Sequence, residues 1–186
     1  AARISWADFK AQYPEGDVLS KETGFNRNYG RNPYAGYDDI NQTPFLFDGE
    51  FNNQLPPMAR VLTVELKNET VAYTYTTLEE MSVIQDTVGG EEIVVFWTEG
   101  TASALDEGLI ELGKDVGAAV AYAREGHIFF AKDGFIFDEA TGSSWNILGK
   151  AVAGELEGKT LSPVVSVNHF WFSWAAFKPE TRVYQP

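Results

Sequence analysis

Two histidines, His127 and His169, are the side chains best suited to acid–base or metal chemistry in this sequence. His169 lies in residues 168–174, Asn-His-Phe-Trp-Phe-Ser-Trp, so large aromatic side chains follow it closely. A histidine in such surroundings is either a hydrogen-bonded core residue or a group that faces a pocket. His169 is therefore the candidate catalytic residue, and the core interpretation stays open beside it.

The motifs of common hydrolases and nucleotide-binding enzymes are missing from the sequence. It has no Gly-x-Ser-x-Gly elbow, no His-Glu-x-x-His run and no phosphate-binding glycine loop. It also has no cysteine, which removes thiol nucleophiles, thiolate metal sites and disulfides. These features favour a non-catalytic protein. The alternative is a hydrolase or metal-dependent enzyme that uses His169 and nearby acidic residues.

Residues 24–60 are rich in Gly, Asn, Pro and aromatic side chains, which predicts a long ordered loop. Flat aromatic faces beside polar groups suit a sugar or another small polar ligand. The structural alternative is that the loop tyrosines cover the core. The candidate ligand-binding residues are Tyr29, Arg31, Asn32, Tyr34, Tyr37 and, from the later aromatic run, Trp171.

Three oxygen-bearing side chains of this loop, Asp38, Asp39 and Asn41, are the candidate metal ligands. Their hard oxygen atoms suit calcium, although their spacing differs from that of a helix–loop–helix calcium site. Asp and Asn also close turns through their own backbone, and Arg31 could pair with either aspartate. Calcium is the one cofactor that the sequence predicts, and these alternatives remain open.

The net charge of −13 restricts the classes of partner. It repels phosphate backbones and anionic lipid headgroups, so we expect no nucleic-acid partner. Basic partners, divalent cations or simple solubility fit the charge better. No run approaches the ~18 apolar residues of a membrane-spanning helix, so no such segment is predicted.

Strand-like patterns dominate residues 61–171, which must position the candidate residues. We expect a single domain of the α+β class, with an antiparallel curled sheet or partly closed barrel and short peripheral helices. A hairpin is predicted at 61–66 and 71–75, and a single strand at 91–97. A three-stranded meander is predicted at 118–122, 127–132 and 135–138. Short helices are predicted at 5–13, 78–82 and 173–177.

The two ends of the chain repeat one another. Ser-Trp-Ala-x-Phe-Lys occurs at residues 5–10 and again at 173–178, each followed by a proline and then a β-prone pair that begins with valine. The repeat predicts that the element in residues 1–20 recurs at 172–186, so the chain begins where a preceding module would end. The predicted partner is a related amino-terminal lobe or a second copy of the chain.

These segments together resemble the prokaryotic family catalogued as domain of unknown function 3179. The resemblance rests on residues 5–19, 23–25, 28–34, 36–39, 86–90, 139–145 and 149–158. Members are typically longer, with two related lobes and often a secretion or lipoprotein signal. The resemblance therefore implies a carboxy-terminal lobe, preceded by the end of the first lobe, in an extracellular or cell-envelope protein.

One departure from the family pattern concerns the strand after the Asp-Thr-Val-Gly-Gly motif at 86–90. In the other lobe this strand usually leads into Tyr-Cys-Pro-x-Cys, whereas here residues 96–102 read Phe-Trp-Thr-Glu-Gly-Thr-Ala. Cysteine-based metal or redox chemistry is therefore not carried over. We expect a non-catalytic binding or assembly module, secreted or envelope-associated, that packs against a related lobe or itself.

Overall fold

Short strands outnumber helices in the computed structural model, which describes residues 2–186. The helices are α1 (Trp6–Gln12), α2 (Tyr75–Met81) and α3 (Trp171–Ala175). The strands are β1 (Arg60–Leu66), β2 (Glu69–Thr74), β3 (Val83–Val88), β4 (Glu91–Thr98), β5 (Ala118–Ala123), β6 (Phe129–Lys132), β7 (Phe135–Asp138), β8 (Ser144–Trp145), β9 (Ala151–Ala153), β10 (Ser166–Phe170) and β11 (Arg182–Val183). The predicted β-dominated α+β class is confirmed.

The strands form three open sheets. Their orders are β10-β1-β2-β11, β3-β4-β5 and β6-β7-β8-β9. Neighbouring strands are antiparallel apart from β11, which runs parallel to β2. No closed barrel forms within residues 2–186, because each sheet ends in two edge strands. None of the helices in this part of the chain is long and apolar enough to span a bilayer.

Hydrophobic clusters between the sheets stack them in layers. Leu62 of β1 and Ile84 of β3 belong to the cluster between the first and second sheets. Val94 and Phe96 of β4 belong to the cluster on the opposite face of the second sheet, together with Trp145 of the third. Because β4 is covered on both faces, its sequence is a continuous apolar run instead of an alternating pattern.

Helix α3 covers the outer face of the first sheet. Trp171 and Ala175 are buried against Val61 and Ala72 in a third, smaller cluster. The indole of Trp171 also donates to the backbone oxygen of Asn52 at 3.1 Å, which fixes the end of the long loop to this helix. The carboxy-terminal aromatic run therefore serves the core of the first sheet.

Two predictions about strand connections had different outcomes. The β1–β2 hairpin is confirmed, and its turn places Lys67 and Asn68 at φ angles of 46° and 70°, as a primed two-residue turn requires. The predicted meander is wrong at its first connection, because β5 pairs with β4 while β6 pairs with β7 in another sheet. Positive φ angles at Glu125 and Gly126 turn the chain towards that sheet.

Candidate functional site

A buried ion pair at Asp38 ties the long loop to the body of the protein. Asp38 is 7% exposed, and its carboxylate lies 2.8 Å from the guanidinium of Arg60. The hydroxyl of Ser103 donates to the same carboxylate, and Lys114 Nζ donates to the Asp38 backbone oxygen at 2.9 Å. Arg60 also lies over Phe170, 5.0 Å from the ring centre. Because a buried charge is costly unless it is paired, this carboxylate acts as an anchor.

Protein contacts already use carboxylate oxygens of two of the predicted metal ligands, Asp38 and Asp39. Asp39 accepts hydrogen bonds from the backbone and side-chain amides of Asn41 at 2.9 and 3.1 Å. The backbone bond contributes most to lowering the pKa of Asp39 below its ordinary value. Within residues 2–186, no three His, Cys, Asp or Glu side chains group together to hold a metal ion. Calcium at Asp38, Asp39 and Asn41 stays a prediction, which metal analysis of the purified protein tests.

Backbone pairing with the segment near residue 108 holds the first part of the loop. The amide of Asn32 donates to the backbone oxygen of Gly108 at 3.0 Å. Its buried side chain donates to the Glu107 oxygen at 3.2 Å and accepts from the Tyr34 amide at 2.8 Å. Both ends of this side-chain amide are therefore used within the fold, whereas the neighbouring Arg31 is exposed.

The aromatic residues predicted to bind a ligand lie in different environments. Tyr29 and Tyr34 are 41% and 53% exposed. The ring of Tyr37 lies 6.3 Å from that of Tyr34 and meets Phe170 edge-on at 5.8 Å. Trp171 has no exposed area and packs in the core. The structure thus brings Tyr34 and Tyr37 together on the loop and places Trp171 away from solvent.

The imidazole of His169 lies on β10 and packs beside an aromatic ring. Its ring centre is 5.1 Å from that of Trp174, and its backbone pairs with Val61. Burial lowers the pKa of His169 below its ordinary value of 6.5. Among the described residues, no carboxylate forms an ion pair with this histidine. The geometry lacks the acid that would orient a general base.

Two cavities lie near the candidate residues, one beside Asp38 and one beside Asn168. One, of about 280 Å³, is bordered by Asp38, Arg60, Tyr75 and Lys114 and mixes both signs of charge. The other, of about 490 Å³, is mostly apolar and lies between β5 and residues 160–168. Neither cavity is lined by a histidine. Sequence reasoning missed the roles of Arg60 and Lys114, because no local pattern connects them to Asp38.

The Asp-Thr-Val-Gly-Gly motif joins the first two sheets. Asp86 accepts a hydrogen bond from the Tyr73 hydroxyl at 2.8 Å and pairs with Arg182 at 3.0 Å. Burial, followed by this bond to Asp86, raises the pKa of Tyr73 well above its ordinary range. The amide of Gly89 donates to the carboxylate of Glu69 at 2.7 Å. The motif therefore has a structural role at this junction.

An exposed aromatic face covers one side of α1. Ser5 caps the helix as predicted, since its hydroxyl accepts from the Asp8 amide at 3.0 Å. Trp6 stacks on Phe9 at 5.4 Å, and Phe9 contacts Tyr13 at 5.6 Å. Trp6 and Tyr13 are 55% and 50% exposed, and no residue of α1 is buried. We call Trp6, Phe9 and Tyr13 the docking face.

An exposed segment follows α1, and we call its residues 14–20 the arm. Every residue from 13 to 31 is exposed. Val18 and Leu19, the apolar residues of the arm, are 64% and 101% exposed. The sequence shows that Val18 and Leu19 are two adjacent β-prone residues, but it does not show that their side chains are exposed.

Comparison with known proteins places the chain in a family. The family model described as protein of unknown function (DUF3179) matches residues 1–181. No curated protein and no solved structure matched the chain. Since the match spans nearly all of the sequence and agrees with the resemblance carried by its motifs, the chain belongs to the DUF3179 family of proteins of unknown function.

Proposed function

We propose that this protein is a non-catalytic binding or assembly module, secreted or associated with the cell envelope. It packs through the docking face and the arm against a related lobe or against a second copy of itself. The observation that carries the proposal is the exposure of the apolar side chains in these two neighbouring elements.

The exposed apolar area favours a partner on energetic grounds. Four side chains between residues 6 and 19 are each at least half exposed: Trp6, Tyr13, Val18 and Leu19. Removing a fully exposed large apolar side chain from water is favourable by about 1.5–3 kcal/mol, which offsets part of the cost of association. Monomeric proteins seldom keep such residues together on the surface, so a patch of this kind is typical of an interface.

The repeated motif at the other end of the chain indicates what kind of surface suits the docking face. Trp174 packs against the outer face of the first sheet and donates to the Thr181 hydroxyl at 2.7 Å. Trp6 also lies on a helix, but it is 55% exposed and belongs to none of the hydrophobic clusters of the described residues. The helices differ in register, because Ser5 caps α1 whereas Ser173 lies within α3. The shared feature is a tryptophan-bearing helix suited to a β-sheet face.

The alternative is a hydrolase or metal-dependent enzyme that uses His169. No ion pair of the described residues involves this histidine. The described chain pairs no acid with this imidazole, and burial is the cause of its lowered pKa. The contacts around His169 therefore give the enzymatic alternative less support than the exposed apolar side chains give the binding or assembly role.

Sedimentation velocity of the intact chain over a concentration series tests the proposal for self-association. We expect Trp6→Lys to abolish any dimer. The matched control is Phe177→Lys, which changes an 84% exposed side chain of the other repeat. A chain that remains monomeric at every concentration excludes the homomeric form. A tandem protein that joins two copies of the sequence tests the form with a related lobe.

A further inference from the structure

After a turn at residues 14–15 the arm has no regular secondary structure and no strand partner. None of the backbone amides of residues 17–20 donates to another backbone group in the described chain. Val18 and Leu19 also bury little side-chain area. Backbone amides without backbone acceptors and exposed β-prone side chains are what a segment needs to pair with the edge of a sheet.

The repeat of the arm does have a strand partner. Pro-Glu-Gly-Asp-Val-Leu at 14–19 corresponds to Pro-Glu-Thr-Arg-Val-Tyr at 179–184, although the first copy has three more residues between its Phe-Lys pair and its proline. In the second copy, Arg182 and Val183 form β11 and pair in parallel with Val71 and Ala72 of β2. The amide of Tyr184 donates to the Ala72 oxygen at 2.9 Å.

We propose that residues 17–19 add as a parallel edge strand to the sheet of a related lobe, at the edge that corresponds to β2. This inference rests on the proposed function, in which the docking face packs on the same lobe. The Leu19 amide then takes the place of the Tyr184 amide. Main-chain hydrogen bonds would supply part of the affinity, and Val18 would add apolar contact, as in other cases of strand addition.

Charge complementarity identifies the occupant as a related lobe and not a second copy of this chain. Arg182 pairs with Glu69 at 3.2 Å and with Asp86 at 3.0 Å. Asp17 stands at the corresponding position of the arm, so its receiving edge requires a basic residue. In a second copy that edge is acidic and is already covered by β11.

A second charged position supports the same partner. Lys178 pairs with Glu65 of β1 at 2.7 Å. Lys10 occupies the equivalent place in the first repeat, so the receiving lobe should keep an acid at the position of Glu65. The partner is thus a β-sheet lobe with an acidic residue on one strand and a basic residue on its edge strand.

A tandem protein made from this sequence tests the inference. Residues 2–172 of one copy are joined directly to residues 5–186 of a second, so Ser5 follows Phe172 as Ser173 does in the natural chain. The first copy carries Glu69→Lys to supply the basic edge. Hydrogen exchange follows the Leu19 amide of the second copy, and acrylamide quenching follows Trp6 of the second copy, with Leu19→Pro in that copy as the matched control. We expect exchange at Leu19 to slow by on the order of a hundredfold relative to the intact single chain.

The outcomes separate the two proposals. A protected Leu19 amide with a shielded Trp6 supports both. A shielded Trp6 with fast exchange at Leu19 overturns strand addition and leaves docking in place. Fast exchange at Leu19 together with an accessible Trp6 overturns both.

An intact-chain experiment tests the charge argument independently of the folding of the tandem protein. Arg182→Asp should speed exchange of the Tyr184 amide about tenfold, and adding Glu69→Lys should restore it. If Glu69→Lys leaves the accelerated exchange unchanged, an edge with a basic residue does not accept an aspartate-bearing strand, and the identification of the partner is overturned.

Discussion

Asp38 organises the long loop through contacts that come from distant parts of the chain. Its carboxylate receives Arg60 and Ser103, and its backbone oxygen receives Lys114. The sequence suggested Arg31 as the nearby cation, but the ion pair forms with Arg60. A carboxylate held by groups 22 or more positions away cannot be recognised from local spacing.

The buried ion pair should contribute substantially to stability. Asp38→Asn leaves the Arg60 guanidinium, whose side chain is 13% exposed, without its counter-charge. We expect the free energy of unfolding in urea to fall by about 3 kcal/mol. The matched control is Asp39→Asn, where the side-chain bonds stay within one turn, so we expect a clearly smaller loss. Equal losses for both variants would refute the anchoring role.

His169 should make stability depend on pH. Its folded-state pKa is lowered from 6.5, so the unfolded chain binds a proton more readily than the folded chain does. Its contribution is therefore complete above pH 6.5 and is lost as the pH falls through the folded value. We expect His169→Gln to flatten the fall in Tm between about pH 7 and pH 5, whereas His127→Gln serves as the control. An unchanged slope in His169→Gln would contradict this assignment.

At the scale of elements, the hairpin turns show how the local sequence sets the connections. The β3–β4 turn contains Gly89 and Gly90, both at positive φ. A Cβ atom on Gly89 would lie 2.5 Å from the backbone oxygen of Leu66, while one on Gly90 would meet no atom within 4 Å. The two glycines therefore share a backbone requirement and differ in the space around them.

This difference can be measured with two alanine variants. Both Gly89→Ala and Gly90→Ala place a side chain at positive φ, which costs about 1–2 kcal/mol. Gly89→Ala must also move the β1–β2 turn, so we expect it to lower the free energy of unfolding by at least about 1 kcal/mol more than Gly90→Ala. Denaturant unfolding measures both values. A Gly90→Ala variant as unstable as Gly89→Ala would show that the contact with Leu66 does not matter.

At the scale of the whole molecule, the two copies of the repeated motif have different surroundings. Trp174 lies against the first sheet, whereas Trp6 lies on a helix with no buried residue. The same short sequence therefore supports the core at one end and remains on the surface at the other. A partner surface is the physical reason we propose for keeping the exposed copy apolar.

Matched substitutions should separate these two roles. Trp174→Lys removes core packing and the hydrogen bond to Thr181, so we expect a loss of about 2 kcal/mol or more in the free energy of unfolding. Trp6→Lys should change stability by less than about 0.5 kcal/mol while preventing docking in the tandem protein. Thermal unfolding and quenching measure the two effects. A large loss of stability with Trp6→Lys would mean that α1 supports the fold of its own chain.

The sequence by itself determined the strand-rich class, the β1–β2 hairpin, the Ser5 cap and the family, because each depends on local spacing or on short motifs. The tertiary structure decided that β5 and β6 enter different sheets, that Arg60 neutralises Asp38, and that Trp171 is buried. It also decided that the repeated tryptophans have different surroundings. These outcomes depend on which distant surfaces meet, since burial and ion pairing arise between segments far apart in the chain.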